Sequence, residues 1–476
     1  MKKGYLTVFL SLTITIMLSL ILALLWSARI GAIRMKTECA TDISMNSVLA
    51  EYNRALFEQY DLLLTDCSYQ TVTPSMANVE EHLKYFMRGN LHTTVEGRIT
   101  GTRTMTAAEC TEAVIPAYSF ATDGNGAVLR RQILAYMEGE PVTEAVAEAA
   151  SNLAVITANG YDTHDVEAEA AENWKRLNEI EIPEQEGEDG EEHEPIPDNP
   201  ANAVESQKGI GVVNLAVPDP SAVSTKTVNL GQFTSHRQKN RGTGLDEGES
   251  LSLVDRLLLD QYMTEKTGCF TDLKEGSLLQ YQMEYLIAGK DSDFDNLEHC
   301  ARILLFWREA ADFAYLVSDE AKVAECEALA TIISAILLCP ALLDPLKWSM
   351  IFAWSFAEAI SDMRILYTGG RVPLIKTAEN WHITFLNLAF FRDHLGGNGD
   401  SGLTYQDYLR MLLLLQSVED KTDRMGDLIE MDVRQTPGNG HFRLDWCLDI
   451  FTAQLTVVSR SGFRIEMVRT YGYESE

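Results

Sequence analysis

The sequence predicts a mainly α chain with a minor β component, an α+β fold carried behind a long N-terminal transmembrane helix. Three observations lead there. Leu6 to Trp26 contains no charged residue, glycine or proline. Much of the remainder places apolar residues three and four apart, with helix-capping residues ahead of them. The tail from Phe442 to Tyr473 instead alternates apolar and polar residues, as strands of a small antiparallel sheet do. With 476 residues, 46% of them hydrophobic, the chain has material for two or three cores.

Lys2 and Lys3 precede the apolar segment. About 20 helical residues rise roughly 30 Å, the thickness of a bilayer's hydrocarbon core. A cleaved signal peptide has a shorter apolar run, about 7–15 residues, and then a small-residue exit. Trp26-Ser27-Ala28-Arg29 offers no such exit, so the segment reads as an uncleaved, single-pass signal-anchor. Arg29, Arg34 and Lys36 follow it closely and nearly balance the basic residues before it. The short N-terminal tail and the acidic remainder favour a cell-membrane protein with its body extracytoplasmic. A net charge of −31 excludes nucleic acid as an expected partner, because phosphates are repelled. The lipid bilayer is the partner the anchor implies.

The anchor reads as part of a longer element. Between Tyr5 and Thr73 there is no proline, and Gly31 is the sole glycine. Ala28, Ala32, Met35, Cys39, Ile43, Leu49, Tyr52, Leu56, Tyr60 and Leu63 fall near one stripe. This predicts one helix of about 60 residues, roughly 90 Å long, whose outer part is an amphipathic stalk packing on the body or on another helix. Residues 1–66 are assigned to it.

Residues 67–180 are expected to form a helical domain with a short β segment. Helices are predicted at 75–88, 127–138, 142–158 and 164–179, with a Thr-rich β-like stretch from Val95 to Met105. Thr106-Ala-Ala-Glu109 reads as a capping box opening a further helix. Residues 181–248 are acidic, then polar, with little to bury, and are expected to be a disordered linker, with GVVNLAV at 211–217 as a short strand inside it. Residues 249–476 are expected to be mainly helical (251–265, 294–317, 319–338, 346–367 and 404–432) and to end in β-strands. The apolar runs within 328–357 are interrupted by Pro340, Asp344, Pro345 and Lys347. Each half is short for a span, so a buried helical hairpin is predicted, with a second membrane segment as the alternative.

Motifs that carry chemistry are scarce. Gly399-Asp400-Ser401-Gly402 has the letters that surround a serine-protease nucleophile, and His394 is near in sequence. The glycines and Thr404-Tyr-Gln-Asp407 read better as a turn entering a capped helix. Asp291, Asp293 and Asp295 imitate the start of a calcium loop. Asn296 and Arg302 stand where that loop needs glycine and a bidentate glutamate, so the acids are read as helix-capping groups. The nine histidines show no zinc-ligand spacing. The eight cysteines (39, 67, 110, 269, 300, 326, 339 and 447) form no C-x-x-C and are expected to be mostly buried thiols. No catalytic, cofactor-binding or metal residue is nominated, and no cofactor is expected.

The N-terminus KKGYLTVFLSLTITIMLSLILALLWSARIGAIRMK resembles the helices of pilin-like proteins of tight-adherence (Tad) pili. The chain is also similar to a family of membrane proteins of unknown function from anaerobic Gram-positive bacteria, encoded beside type II secretion or Tad-like components. AYSFATDGNGAVLRRQILAYM (117–137), YQMEYLIAGKDSD (281–293), GGRVPLIKTAENW (369–381) and SGLTYQDYLRMLL (401–413) carry that similarity. The resemblance implies a processing site at Gly4-Tyr5. It also implies a partner set of other membrane, pilus or secretion components, reached through the N-terminal helix. Type IV pilins place glutamate five residues after the processing glycine; here that position is Phe9. The expectation is a non-catalytic, pseudopilin-like assembly component. A tethered adhesin or binding module and a membrane-bound hydrolase are the alternatives.

Overall fold

The computed structural model describes residues 2–92, 106–182, 196–245, 250–397 and 399–473. The chain divides into two compact units, one of residues 1–138, 231–250 and 429–476, the other of residues 139–230 and 251–428. The fold is mainly helical with a small antiparallel sheet, as expected.

The first unit opens with α1 (Lys2–Leu49), followed by α2 (Arg54–Tyr60), β1 (Thr65–Asp66), α3 (Met76–His92), β2 (Ala108–Phe120) and α4 (Asp123–Tyr136). It closes with β3 (Cys447–Ser459) and β4 (Arg464–Gly472). β3 is the spine of the sheet: β2 pairs along it antiparallel from Ala108↔Ser459 to Phe120↔Leu448, and β1 and β4 pair with it as well. Pro116 has no N–H to give the ladder, and it falls inside a register shift between Val114 and Ala117. The core joins Ile33, Met45 and Val48 of α1, Leu83 and Met87 of α3, and Phe451, Leu455 and Val457 of β3.

Two expectations are corrected in this unit. The N-terminal helix stops at Leu49 rather than running to Leu63, so residues 1–66 are not one rod. Asn53 stops it by capping α2, its side-chain oxygen accepting from Leu56 N at 3.1 Å, and Asp61 closes α2 in the left-handed region at φ 54°. Thr106–Glu109 opens no helix, because Ala108 and Glu109 already pair with β3. The β-like stretch at 95–105 lies outside the described residues.

The linker expected at 181–248 is also corrected. Residues 183–195 lie outside the described residues, but 196–245 are folded. Residues 200–208 form a helix, and 212–216 form a helical turn where a strand was expected. Residues 231–245 are held within the first unit by Arg237, whose guanidinium bridges Glu430 (2.5 and 2.6 Å) and Asp445. Gly242 N reaches Asp123 Oδ2 at 2.9 Å, and a Cβ at Gly242 would lie 2.3 Å from Tyr118 O, so only glycine fits there.

The second unit contains α5 (Glu144–Asn159), α6 (Val166–Glu179), α7 (Pro200–Lys208), α8 (Val212–Ala216), α9 (Leu253–Lys266) and α10 (Gln282–Ala288). It continues with α11 (Asp293–Ser318), α12 (Glu320–Ile336), α13 (Leu343–Tyr367) and α14 (Tyr405–Leu414). α15 (Val418–Arg434) starts in this unit and ends in the first. α13 is its axis: nearly every residue from Ser349 to Met363 is buried, and α6, α7, α11 and α12 pack on it. Within the apolar 328–357 region α13 is buried as predicted, whereas α12 buries one face (Cys326, Ala330, Ile333 and Ser334) and leaves Ile332, and Leu338 just beyond it, exposed, so the expected hairpin is buried in its second half alone. The single helix predicted over 404–432 is two, because Ser417 Oγ accepts from Asp420 N at 3.1 Å and starts a new helix.

Candidate functional site

Gly4–Leu49 is the stretch of the described residues that is long and apolar enough to cross a membrane, by length and composition. Leu6, Phe9, Leu12, Ile16, Leu20 and Leu24 are each more than half exposed. The hydroxyls between Thr7 and Ser19 are turned back onto the helix. Thr7, Ser11, Thr13, Thr15 and Ser19 donate to carbonyls three or four residues earlier at 2.8–3.1 Å. A hydroxyl satisfied inside its own helix costs little in hydrocarbon, where it finds no water. Trp26 ends the run with the Arg29 guanidinium 5.7 Å from its ring centre.

Beyond Ile33 the same helix enters the core, through a face the sequence did not indicate. Met35, Cys39 and Ile43 of the expected stripe are exposed. The buried face is Ile33, Thr37, Ala40, Thr41, Ser44, Met45 and Val48. Three of these are hydroxyl residues that donate to carbonyls four residues back (Thr37, 2.8 Å; Thr41, 2.9 Å; Ser44, 2.6 Å). Their polarity is thereby spent inside the helix, and their small size lets α3 approach. Asn90 of α3 donates to Ser44 Oγ at 3.0 Å, and Lys36 Nζ caps the α3 carbonyl of Leu91.

Gly4 and Tyr5 lie in the first turns of α1; a Cβ on Gly4 would meet nothing within 4 Å, and Tyr5 is exposed. Phe9 is likewise exposed, one helical turn on. Ser401 is exposed and makes no hydrogen bond to His394 among the described residues. The glycines there answer to packing: Gly402 sits at φ 109° with Val372 and Pro373 backbone against its Cβ position. The acids at 291–295 stand at the start of α11, with Asp293 and Asp295 in its first turn, but the cap is Ser292, whose Oγ accepts from Asp295 N at 3.0 Å. Buried Asp293 accepts from Gln280 N at 3.0 Å and Ser224 Oγ at 2.6 Å. The eight cysteines are free, with Cys39 exposed and Cys110 half-buried.

Sequence reasoning missed a buried ionic cluster in the second unit. Asp312 and Arg308 lie one turn apart on α11, Glu358 and Asp362 one turn apart on α13, and Lys376 and His382 come from the loop after α13. Lys376 Nζ is 2.6 Å from Asp362 Oδ1 and 2.7 Å from Glu358 Oε1. Arg308 Nη2 is 2.6 Å from Asp362 Oδ2 and 3.0 Å from Asp312 Oδ1. Glu358 also accepts from the backbone N–H groups of His382 (2.8 Å) and Ile383 (2.7 Å).

Glu358, Asp362 and His382 place donor atoms within 4.8 Å of one another, close enough to share a metal ion. The two carboxylates already share the Lys376 ammonium, with the Arg308 guanidinium beside it, so a divalent cation would meet both positive charges. The residues do not fit a metal in this arrangement. Burial pushes the Asp312 carboxyl well up, and the Asp362 and Glu358 charges add to that against Lys376 and Arg308. Burial likewise pushes Asp362 up, but Lys376 and Arg308 overcome it and hold Asp362 below its usual value. Two cations, Lys376 and Arg308, face the carboxyl groups of Asp312, Glu358 and Asp362. The cluster clamps α11, α13 and the following loop.

Another buried acid of this unit stands apart from the cluster. Glu284 Oε1 accepts from Phe270 N and Tyr405 Oη, each at 2.9 Å, and burial pushes its pKa from 4.5 to about 7. The folded protein therefore holds a proton here that the unfolded chain has already lost between those pH values. This group's contribution is most favourable below pH 4.5 and declines by about 3 kcal/mol as pH rises to about 7. Glu284→Gln is expected to be near neutral at pH 4.5 and stabilising at pH 8, read from urea unfolding at the two pH values. Equal effects at both would rule out a protonated Glu284.

No curated protein and no solved structure matches the chain. A family model does, and it spans residues 190–459, which include α7 to α15, the ionic cluster and all of β3. That match covers more than half of the sequence, and the chain belongs to the family of unknown function DUF5702.

Proposed function

We propose that the protein is a non-catalytic, membrane-anchored component of a Tad-like pilus or type II-like secretion assembly. In this reading the first half of α1 lies in the bilayer and the two folded units are extracytoplasmic. The observation that carries it is α1 itself, one uninterrupted helix of 48 residues. Its first half is exposed apolar surface and its second half is part of the first unit's core. A tether needs no such continuity; a helix fixed at both ends transmits position and rotation from the membrane to the folded body. The exposed stripe of Ala28, Ala32, Met35, Cys39 and Ile43 continues the apolar surface outward on the side away from the core. That is the face a neighbouring helix of an assembly would cover.

Leu18→Arg with Leu22→Arg puts two charges mid-helix, at about 2.5–3.5 kcal/mol each. The double variant is expected to leave the membrane fraction in alkaline carbonate extraction; retention there would mean another element holds the protein. The assembly role is tested through Cys39, which is exposed on the stripe. In intact membranes from cells carrying the secretion genes, a short bis-maleimide should join Cys39 to a partner helix, and Cys39→Ser should abolish the product. Replacing Leu6–Trp26 by an unrelated span should abolish function in the assembly. Preserved function would favour the tethered adhesin instead. Intact-mass measurement reads the Gly4-Tyr5 site, since a mature chain starting at Met1 removes pseudopilin-type processing.

A further inference from the structure

Within the second unit a cavity of about 350 Å³ opens between α6, α7, α8, α11 and α13. Glu298, Arg302, Leu305 and Glu309 line it from one face of α11, and Phe356 lines it from α13. Glu309 is the unusual member. It is 4% exposed, its Oε1 is buried without a donor, and neither carboxylate oxygen makes a hydrogen bond among the described residues. A buried carboxyl oxygen left without a donor costs about 1–3 kcal/mol, more when charged, which any ligand that supplies the donor recovers.

The surroundings decide what kind of donor fits. Lys208 is the cation that acts on Glu309, against Glu167, Asp165 and Glu205. Lys208 is engaged elsewhere: its Nζ pairs with Glu205 at 3.3 Å and stands 5.0 Å from the Phe356 ring centre. Arg302 is engaged with Glu298 at 2.7 Å. The acids outnumber the cations around Glu309, so an anionic ligand is repelled. The Phe356 ring already receives one ammonium from the chain itself. Leu305, Phe306 and Val212 supply apolar wall for a stem.

We propose that this cavity binds a small organic ammonium, a primary amine on a short apolar stem, with the Glu309 carboxylate as its counter-ion and Phe356 as its aromatic wall. The volume suits a molecule of that size. Burial raises the Glu309 carboxyl to about 7, with Lys208 opposing and Glu167, Asp165 and Glu205 reinforcing the rise. The groups facing it are Lys208 and Glu205 from α7, Glu167 from α6 and Asp165 at its cap, and Glu298 and Arg302 from α11. Ammonium binding therefore strengthens as pH rises from 6 to 8. This site is independent of the membrane role proposed above.

The test uses the full chain in detergent and saturation-transfer NMR titrations with n-butylammonium, n-butanol and butyrate. Butylammonium should bind in preference to the other two, about tenfold more tightly at pH 8 than at pH 6. Glu309→Gln, which keeps shape and removes the charge, should weaken it about tenfold at pH 8. Glu320→Gln, the same charge change on exposed α12, should leave it unchanged. Lys208→Met should tighten binding several-fold, because it vacates the Phe356 ring and Glu205; a purely structural Lys208 would not do so. No binding of butylammonium to the wild type, equal binding of butanol or butyrate, or equal binding to Glu309→Gln would each overturn the proposal, leaving a cavity that holds water only.

Discussion

Lys376→Met is expected to destabilise the second unit by about 3–5 kcal/mol, the usual cost of removing one partner from a buried ion pair. The side chain is fully buried, and methionine replaces its volume but not its charge. Arg308 still faces Asp362, but Glu358 keeps only backbone N–H donors and His382, so a carboxylate is left in the core without a cation. Much of the loss is the cost of that orphaned charge, not the net worth of the cluster. The cycle with Glu358→Gln separates the two: the double variant should recover a large part of the loss. Trp381 and Trp354 report locally, since the Trp381 ring lies 5.7 Å from Lys376 Nζ and both indoles donate to Ile383 O. Urea unfolding followed by their fluorescence checks the prediction. A loss under 1 kcal/mol would mean that water reaches the cluster.

Arg237→Met is expected to cost the first unit a similar 3–5 kcal/mol. Glu430 and Asp445 are fully buried, and among the described residues Arg237 is the one cation that touches both, while Arg434 reaches Glu430 at 2.8 Å and Arg443 reaches Asp445 at 2.9 Å. The variant should also free residues 231–245 to proteolysis, because Arg237 fastens that stretch to the 430–445 region. Arg443→Met is the contrast: its side chain is 35% exposed, and Asp445 keeps Arg237 and the Asn240 N–H groups at 2.9 Å. It should cost about 1 kcal/mol or less. Limited proteolysis and denaturation of the two variants side by side decide the ranking. Equal losses would show that Arg237 is not the fastening.

Both clusters were invisible in the sequence for the same reason. Arg237 meets Glu430 across nearly two hundred intervening residues, and its neighbours Ser235, His236, Gln238 and Lys239 have the composition of a solvated linker. Composition measures what a segment can bury for itself and not what a distant segment supplies to it. Arg308, Asp312, Glu358 and Asp362 stand at helical spacing and read as charged outer faces of two helices. Turned towards each other, those faces became the interior.

The sequence by itself determined the long apolar N-terminal helix, the helices at 253–266, 293–318, 320–336 and 343–367, the cap at Thr404, and the closing β-hairpin at Gly462. These rest on local causes: spacing of apolar residues, a side-chain oxygen at a helix start, a glycine where φ is positive. Tertiary structure alone decided which face of α1 is buried. Met35, Cys39 and Ile43 are the more apolar side, yet Thr37, Thr41 and Ser44 lie in the core, because their hydroxyls are satisfied by carbonyls one turn back and their size admits α3. Tertiary structure also made residues 108–120 a strand, since β3, more than three hundred residues away, supplies the ladder it pairs with. Burial is a property of what the rest of the chain brings to a surface, and no local pattern contains it.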